Sequence, residues 1–257
     1  MKLLLKNKRA LITGGCQGIG LAIAKSLAQE GADIVLADLK PREQAAEEIR
    51  ALGRDCVLCQ VDVTDEAQVV GMFEKLGGAP VDILVNCAGT YGPVKRIAEM
   101  DRASWDSAFA LNMTGTMLCT REALKGMIAR KSGNIINIAS NVARRGLVDR
   151  GCYVSTKWAM LGFTQTVALE NVSYNIRANS ILPGPVDTPH LDEVMKIHAS
   201  RDAITLEAMA TSWRDGAPMK RFIEAEEIGK VAVFLASDMS SAMTGQGINV
   251  TGGFIMT

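Results

Sequence analysis

The sequence predicts an α/β fold, an open, doubly wound parallel sheet of about seven strands with helices on both faces, formed as a single domain over 1–257. Short apolar runs alternate with longer segments whose apolar residues recur at helical spacing. A glycine-rich turn joins the first run to the first amphipathic segment. The chain has 257 residues, 48% hydrophobic and only 5% aromatic, enough to bury a sizeable core without disulfides or a structural metal. Strands alternating with helices in this way pair in parallel through right-handed crossovers.

Residues 10–13 (Ala-Leu-Ile-Thr) make the first strand. Leu21, Ile23, Ala24, Leu27 and Ala28 then follow helical spacing and stop at Gly31. A second strand is expected at 33–37, a second helix at 43–52 ended by Gly53, and a third strand at 57–61. Thr64 or Asp65 caps the next helix, which ends at Gly77 and Gly78. The fourth strand is 83–85, and one long helical stretch over 104–129 leads to the fifth strand at 134–138. A second long helix, 152–172, precedes a strand at 178–182. After Pro183 the alternation stops. Residues 187–221 are mixed in charge, hold Met195, Met209 and Met219 and match no strand, so they read as a mobile helical lid over a pocket. A helix at 225–236 and a strand at 247–250 close the domain.

Lysine plus arginine and aspartate plus glutamate each number 28, giving zero net charge. That balance argues against nucleic acid or an anionic membrane as partner. Three leucines between Lys2 and Lys6 are too few for a signal-peptide core. No run approaches the ~20 apolar residues a membrane helix needs, so the expectation is a cytoplasmic protein acting on a small molecule. The six cysteines read as reduced, small core residues. Cys56 and Cys59 lie within a strand, where positions i and i+3 face opposite ways. With His190 and His198 the only histidines, no metal site is expected.

Thr13-Gly14-Gly15-Cys16-Gln17-Gly18-Ile19-Gly20 lies between a strand and a helix. Glycines there let backbone approach a pyrophosphate, whose charge a helix N-terminus stabilises. The G-x-x-x-G-x-G spacing departs from the common G-x-G-x-x-G fingerprint, and no Gly-Lys-Ser/Thr follows to make a P-loop. Asp38 ends the second strand, 20 residues after Gly18. A carboxylate there accepts hydrogen bonds from both ribose hydroxyls of adenosine and repels a 2′-phosphate, which favours NAD over NADP despite nearby Lys40 and Arg42. The competing use is a solvated acid capping the next helix. Tyr153 and Lys157 stand four apart, on one helical face. A free phenol titrates near ~10, and bringing it to ~7 requires about 4 kcal/mol of differential stabilisation, within reach of a close, partly desolvated ammonium.

Together with Asn86-Cys87-Ala88-Gly89, Asn112, Ser140, Tyr153-Val154-Ser155-Thr156-Lys157 and Pro183-Gly184-Pro185, this turn resembles the short-chain dehydrogenase/reductase family from about Arg9 to Gly253. The motifs occur in that family's order and at similar spacings. The resemblance implies a Rossmann-type fold and NAD as cofactor. It implies Tyr153 as general acid/base, Ser140 as hydrogen-bond partner of the reacting oxygen, and Lys157 on the nicotinamide ribose. Asn112 would order a proton-relay water. Gly14, Cys16, Gln17, Gly18, Ile19 and Gly20 would hold the pyrophosphate side and Asp38 the adenosine ribose. Asp62 and Val63 would contact adenine, Asn86, Ala88 and Gly89 would shape the floor, and Pro183, Gly184, Val186 and Thr188 would line the nicotinamide side. Cys87 stands where that family often has asparagine. A homotetramer, or a homodimer, is also implied, with the two long helices pairing between subunits.

Substrate contacts are expected from Ser140 and Tyr153. Arg144, Arg145 and Arg150 precede Tyr153, while His190, Trp213 and Arg214 lie in the lid. Arg145, Arg150 and His190 are candidates for an anionic substrate group, against solvated surface or subunit contacts. The leading activity is NAD-dependent oxidation of a secondary alcohol in a sugar, polyol or hydroxy acid. Alternatives are an NADPH-dependent 3-oxoacyl or other ketone reductase and a non-catalytic dinucleotide-binding regulator on the same fold.

Overall fold

In the computed structural model, which describes residues 3–77 and 80–256, the strands are β1 (Arg9–Thr13), β2 (Asp33–Asp38), β3 (Cys56–Gln60), β4 (Ile83–Asn86), β5 (Gly133–Ile138), β6 (Ile176–Pro183) and β7 (Gly247–Val250). The helices are α1 (Gly18–Gln29), α2 (Glu43–Arg50), α3 (Glu66–Lys75), α4 (Arg102–Phe109), α5 (Gly115–Arg130), α6 (Gly151–Asn171), α7 (Pro189–Arg201), α8 (Leu206–Gly216) and α9 (Ala225–Ala236). All strands run parallel in the order β3-β2-β1-β4-β5-β6-β7. Met1, Lys2 and Gly78, used above for the chain start and the end of the third helix, lie outside the described residues.

Strand alternation builds the two layers. Ile12, Ile34, Leu36, Val85 and Ile136 point to one face, where they meet Ile23 and Leu27 of α1, Ile49 of α2 and Ile228 and Leu235 of α9. Leu11, Val35, Leu84 and Ile135 point to the other, against Val69 of α3, Leu118 and Met127 of α5 and Val167 of α6. Both faces are apolar because both are covered, the usual condition of an all-parallel sheet. Asp65 supplies the cap of α3, its carboxylate accepting from the Gln68 N–H at 3.2 Å.

Two segments differ from the sequence expectation. The helix expected over 104–129 is interrupted by a π-turn at Ala110–Thr114, which separates α4 from α5. The extra residue in the turn re-aims Asn112 inward, a use to which π-bulges are often put. The 187–221 segment is helical, but it has a small core of its own, with Leu191, Met195, Ala199 and Met209 packed by Trp213 and Phe222. Its two ends are tied together at the sheet, where Asp187 N–H donates to Ile223 O and Ile223 N–H to Pro185 O, both at 2.9 Å. α7 and α8 therefore stand on a pinned neck beside the C-terminal ends of the strands.

Candidate active site

The sheet order reverses direction between β1 and β4, and at such a switch point the loops leaving the two strands part and open a crevice. Thr13 ties the two sides together. Its buried hydroxyl accepts from the N–H groups of Cys87 and Ala88 at 3.0 and 3.1 Å and donates to Val85 O at 3.5 Å. Gly14 (φ +63°) presses against this floor, where an added Cβ would sit 3.0 Å from Ala88 Cα. A Cβ on Gly20 would lie 2.2 Å from Gly14 O. Only glycine fits that contact.

The first turn of α1 has neither a side-chain cap nor an acidic residue, and exposed Gln17 stands at the cap position. Its amide N–H groups and the positive end of the helix dipole are thus free to meet an anion. Ile19 packs on the core, and Gly18 (φ +51°) faces Thr188 across the crevice, where a Cβ would be 3.7 Å from Thr188 Cγ2. Asp38 Oδ2 accepts from Cys16 N–H at 3.2 Å and Oδ1 from Lys40 N–H at 3.0 Å. The carboxylate therefore braces the glycine turn and does not cap α2, whose cap position is Arg42. This cradle fits the pyrophosphate and ribose of a dinucleotide. Gly20→Ala is expected to weaken dinucleotide binding by at least about tenfold and to lower Tm by several degrees, since forced overpacking costs about 1–3 kcal/mol. Fluorescence titration and thermal melts check both.

The other candidates for dinucleotide contacts divide by location. Asp62 Oδ1 accepts from Thr64 N–H (2.9 Å) and Thr64 Oγ1 (2.7 Å), and Val63 is wedged on Gly115 of α5, so both shape the loop after β3. Asn86 turns into the sheet, donating to Thr120 Oγ1 (3.0 Å) and Asn137 Oδ1 (2.8 Å). Gly89 abuts Asn112 Oδ1. Beyond Pro183, Gly184 N–H donates to Val250 O at 2.9 Å, Val186 is buried beside Ile223, and Thr188 Oγ1 caps α7 by accepting from Leu191 N–H at 3.3 Å.

Ser140 follows β5, and α6 carries Tyr153 and Lys157 on the face turned toward it. Lys157 is buried, donates to Ile138 O at 2.8 Å, and lies 5.7 Å from the centre of the Tyr153 ring. Burial pulls its ammonium down to about 8. Burial also pushes the Tyr153 phenol above its ordinary value, while a hydrogen bond to Ser140 and the Arg150 charge pull the other way. The groups drawing the phenol down are thus Ser140 and Arg150. Asn112 holds the wall in place, its amide donating to Thr90 O (2.9 Å) and Thr156 Oγ1 (3.0 Å) and accepting from Thr90 N–H (2.8 Å). Its side chain is spent on that bracing.

The arginines separate. Arg144 donates to Gly247 O at 3.0 Å and Arg145 stacks on Phe254 at 4.4 Å, so both brace the C-terminal segment. Arg150 is buried beside Tyr153, which corrects the solvated-surface reading for that residue. Of the lid residues, His190 stacks on Tyr91 at 4.2 Å, Trp213 packs edge-on against His198 and Arg214 lies over Phe222. Sequence reasoning missed Tyr91, which meets Tyr153 edge to face at 5.2 Å. The available signal was its rarity, one of three tyrosines, two positions after the Asn86–Gly89 turn.

The enoyl-(acyl carrier protein) reductase family model matches residues 14–255. The chain is 36% identical over 256 residues to galactitol 2-dehydrogenase of Agrobacterium fabrum, covering 97% of this chain and 98% of that protein. It is 34% identical over 259 residues to D-beta-hydroxybutyrate dehydrogenase of Cupriavidus necator, covering 98% and 99%. Among solved structures it resembles NAD+-bound xylitol dehydrogenase with a TM-score of 0.93 at 30% identity, covering 97% of this chain and 99% of that one.

Proposed function

This chain belongs to the short-chain dehydrogenase/reductase family of oxidoreductases, which interconvert alcohols and ketones, and within it we propose an NAD-preferring dehydrogenase acting on a secondary alcohol of a small polyol, sugar or hydroxy acid. The observation that carries the reading is the Tyr153 phenol, set near Ser140 and one helical turn from buried Lys157, beside a glycine turn in which a Cβ on Gly20 would meet Gly14 O. Relatives named for galactitol and hydroxybutyrate support the substrate class.

A bound nicotinamide dinucleotide supplies the hydride acceptor or donor, and it would be held by the Gly14–Gly20 turn, Asp38 and Lys157. Tyr153 Oη takes the proton of the substrate hydroxyl during oxidation and returns it during reduction. Ser140 Oγ hydrogen-bonds the same oxygen and stabilises its developing charge. Lys157, fixed by Ile138 O, holds ribose hydroxyls and adds positive charge near the phenolate. Asn112 acts as a positioning residue, locking the 90s loop to α6. Trp158 and Leu169 of α6 and Val172 at its end are exposed apolar side chains, which supports pairing of the long helices in a homotetramer. Among the described residues no helix is long and apolar enough to cross a membrane, and we place the enzyme in the cytoplasm.

A panel of polyols, sugars and hydroxy acids, each with NAD and with NADP at equal concentration, tests the proposal. NADH formation on at least one compound is expected, with kcat/KM for NAD at least about thirtyfold above that for NADP, since a carboxylate against a 2′-phosphate costs a few kcal/mol. Asp38→Ser should narrow the ratio to about unity, from the same charge argument. Faster turnover with NADP in the unaltered enzyme defeats the cofactor assignment.

A further inference from the structure

Arg150 is 2% exposed, just ahead of the first turn of α6, and its charge is unpaired. Nη2 donates to Tyr91 O at 3.2 Å, while Nε and Nη1 have no hydrogen-bond partner among the described residues. The guanidinium lies 5.2 Å from the Tyr91 ring centre and 5.1 Å from that of Tyr153. The charged neighbour that lies near it, Arg201, is another cation and is already neutralised by Asp149 (2.8 Å) and Asp202 (2.6 Å). Arg177, the other arginine deep in the fold, shows what a satisfied guanidinium looks like here. Its two terminal nitrogens donate to Ser240 Oγ, Met243 O, Leu235 O and Ser237 O.

A buried, unpaired charge costs several kcal/mol, and removing it in favour of an apolar side chain is often stabilising. Two aromatic faces recover only part of that cost. The backbone holds the residue in place regardless, because Lys95 N–H bonds to Asp149 O at 2.9 Å and Lys95 and Arg150 form an isolated β-bridge. Nε and Nη1 lie on different edges of the guanidinium, so the planar fork matched to a carboxylate is made by one of them with the second N–H of Nη2, whose first goes to Tyr91 O. The guanidinium centre lies 5.1 Å from the ring of the phenol that handles the carbinol proton, and His190 of the lid stacks on Tyr91 at 4.2 Å.

We propose that Arg150 binds a carboxylate of the substrate, and that the preferred substrate is a small hydroxy acid whose carboxylate lies a short carbon spacer from the carbinol. The position of the carbinol rests on the dehydrogenase function proposed above, whereas the binding of an anion at Arg150 does not. Arg150 is thus the residue that separates acids from neutral polyols of similar size.

Two measurements test this. Calorimetric titration of the NADH-loaded full chain uses malonate and its uncharged counterpart malonamide as probes. Malonate is expected to bind at least about thirtyfold more tightly than malonamide, a difference of about 2 kcal/mol. Arg150→Met should erase that difference, and Arg150→Lys, which keeps charge and loses the fork, should restore part of it. Equal binding of the two probes, or malonate binding untouched by Arg150→Met, overturns the proposal. In the second measurement NAD-dependent oxidation of 3-hydroxybutyrate is compared with that of 1,3-butanediol. The acid should be preferred through KM, and Arg150→Met should raise KM for the acid by about thirtyfold or more relative to that for the diol, while the turnover lost through the Tyr153 phenol falls on both compounds alike. Equal changes in KM for both compounds mark a purely structural arginine and overturn it. If neither compound is oxidised while malonate binding still depends on Arg150, the dehydrogenase assignment fails and the anion site stands. Arg150→Met is expected to melt at or above the parent temperature; if it does not fold, Arg150→Lys carries both comparisons.

Discussion

Tyr153→Phe lowers kcat by about 10²–10⁴-fold, the range that a positioned general acid/base contributes. The substitution removes one oxygen and leaves the ring, so the edge contact with Tyr91 and the Arg150 guanidinium over its face persist. Dinucleotide affinity therefore stays within about twofold, and the loss falls on kcat and kcat/KM together, the signature of an interaction made in the transition state. The pH dependence has a definite sign. Burial raises the phenol's pKa, so alcohol oxidation, which needs the phenolate, accelerates as pH rises through neutrality. The hydrogen bond to Ser140 and the Arg150 charge offset part of that rise. Steady-state rates of the Phe variant above about a tenth of the parent value would remove Tyr153 from the chemistry.

Lys157→Met separates function from stability. Turnover should fall by about 10³-fold, because the phenolate loses its cation and the ribose its donor. The melting temperature should rise. The ammonium is buried with one hydrogen bond among the described residues, to Ile138 O, and burial lowers its pKa from 10.5 to about 8. An unfolded lysine keeps its proton to about 10.5, so below pH 8 both states are charged and the native state bears the full desolvation cost. Between pH 8 and 10.5 the native state releases that proton first, and the cost recedes as pH climbs. The Met variant's advantage is thus greatest at neutral pH and shrinks in alkali, which melts at several pH values would read directly. A variant less stable than the parent at pH 7 would mean that Lys157 is a structural tie and not a strained functional group.

That strain sits where fold and site meet. Glycines at 14 and 20 let the turn close on the β4 loop, Asp38 braces it, and the lysine is held in an environment that a methionine would suit better. Stability lost at such positions is the familiar companion of function.

Much of this was legible in residue order because it depends on local periodicity. The helix Ala225–Ala236 and the strand Gly247–Val250 have the bounds that their apolar spacing predicts, and the Tyr153–Lys157 pair needed only the pitch of a helix to share a face. The glycine turn and Asp38 follow from where a strand stops. Tertiary structure decided the rest, because it brings together groups distant in the chain. The π-turn at Ala110–Thr114 exists in the company of Thr90 and Thr156, which Asn112 must reach from a helix that reads as continuous. Arg150 looks like surface beside Arg144 and Arg145, but it is buried against the rings of Tyr91 and Tyr153 while its neighbours turn to Gly247 and Phe254. Burial is a property of what packs on a side chain, and here those partners arrive from the loop after β4 and from α6.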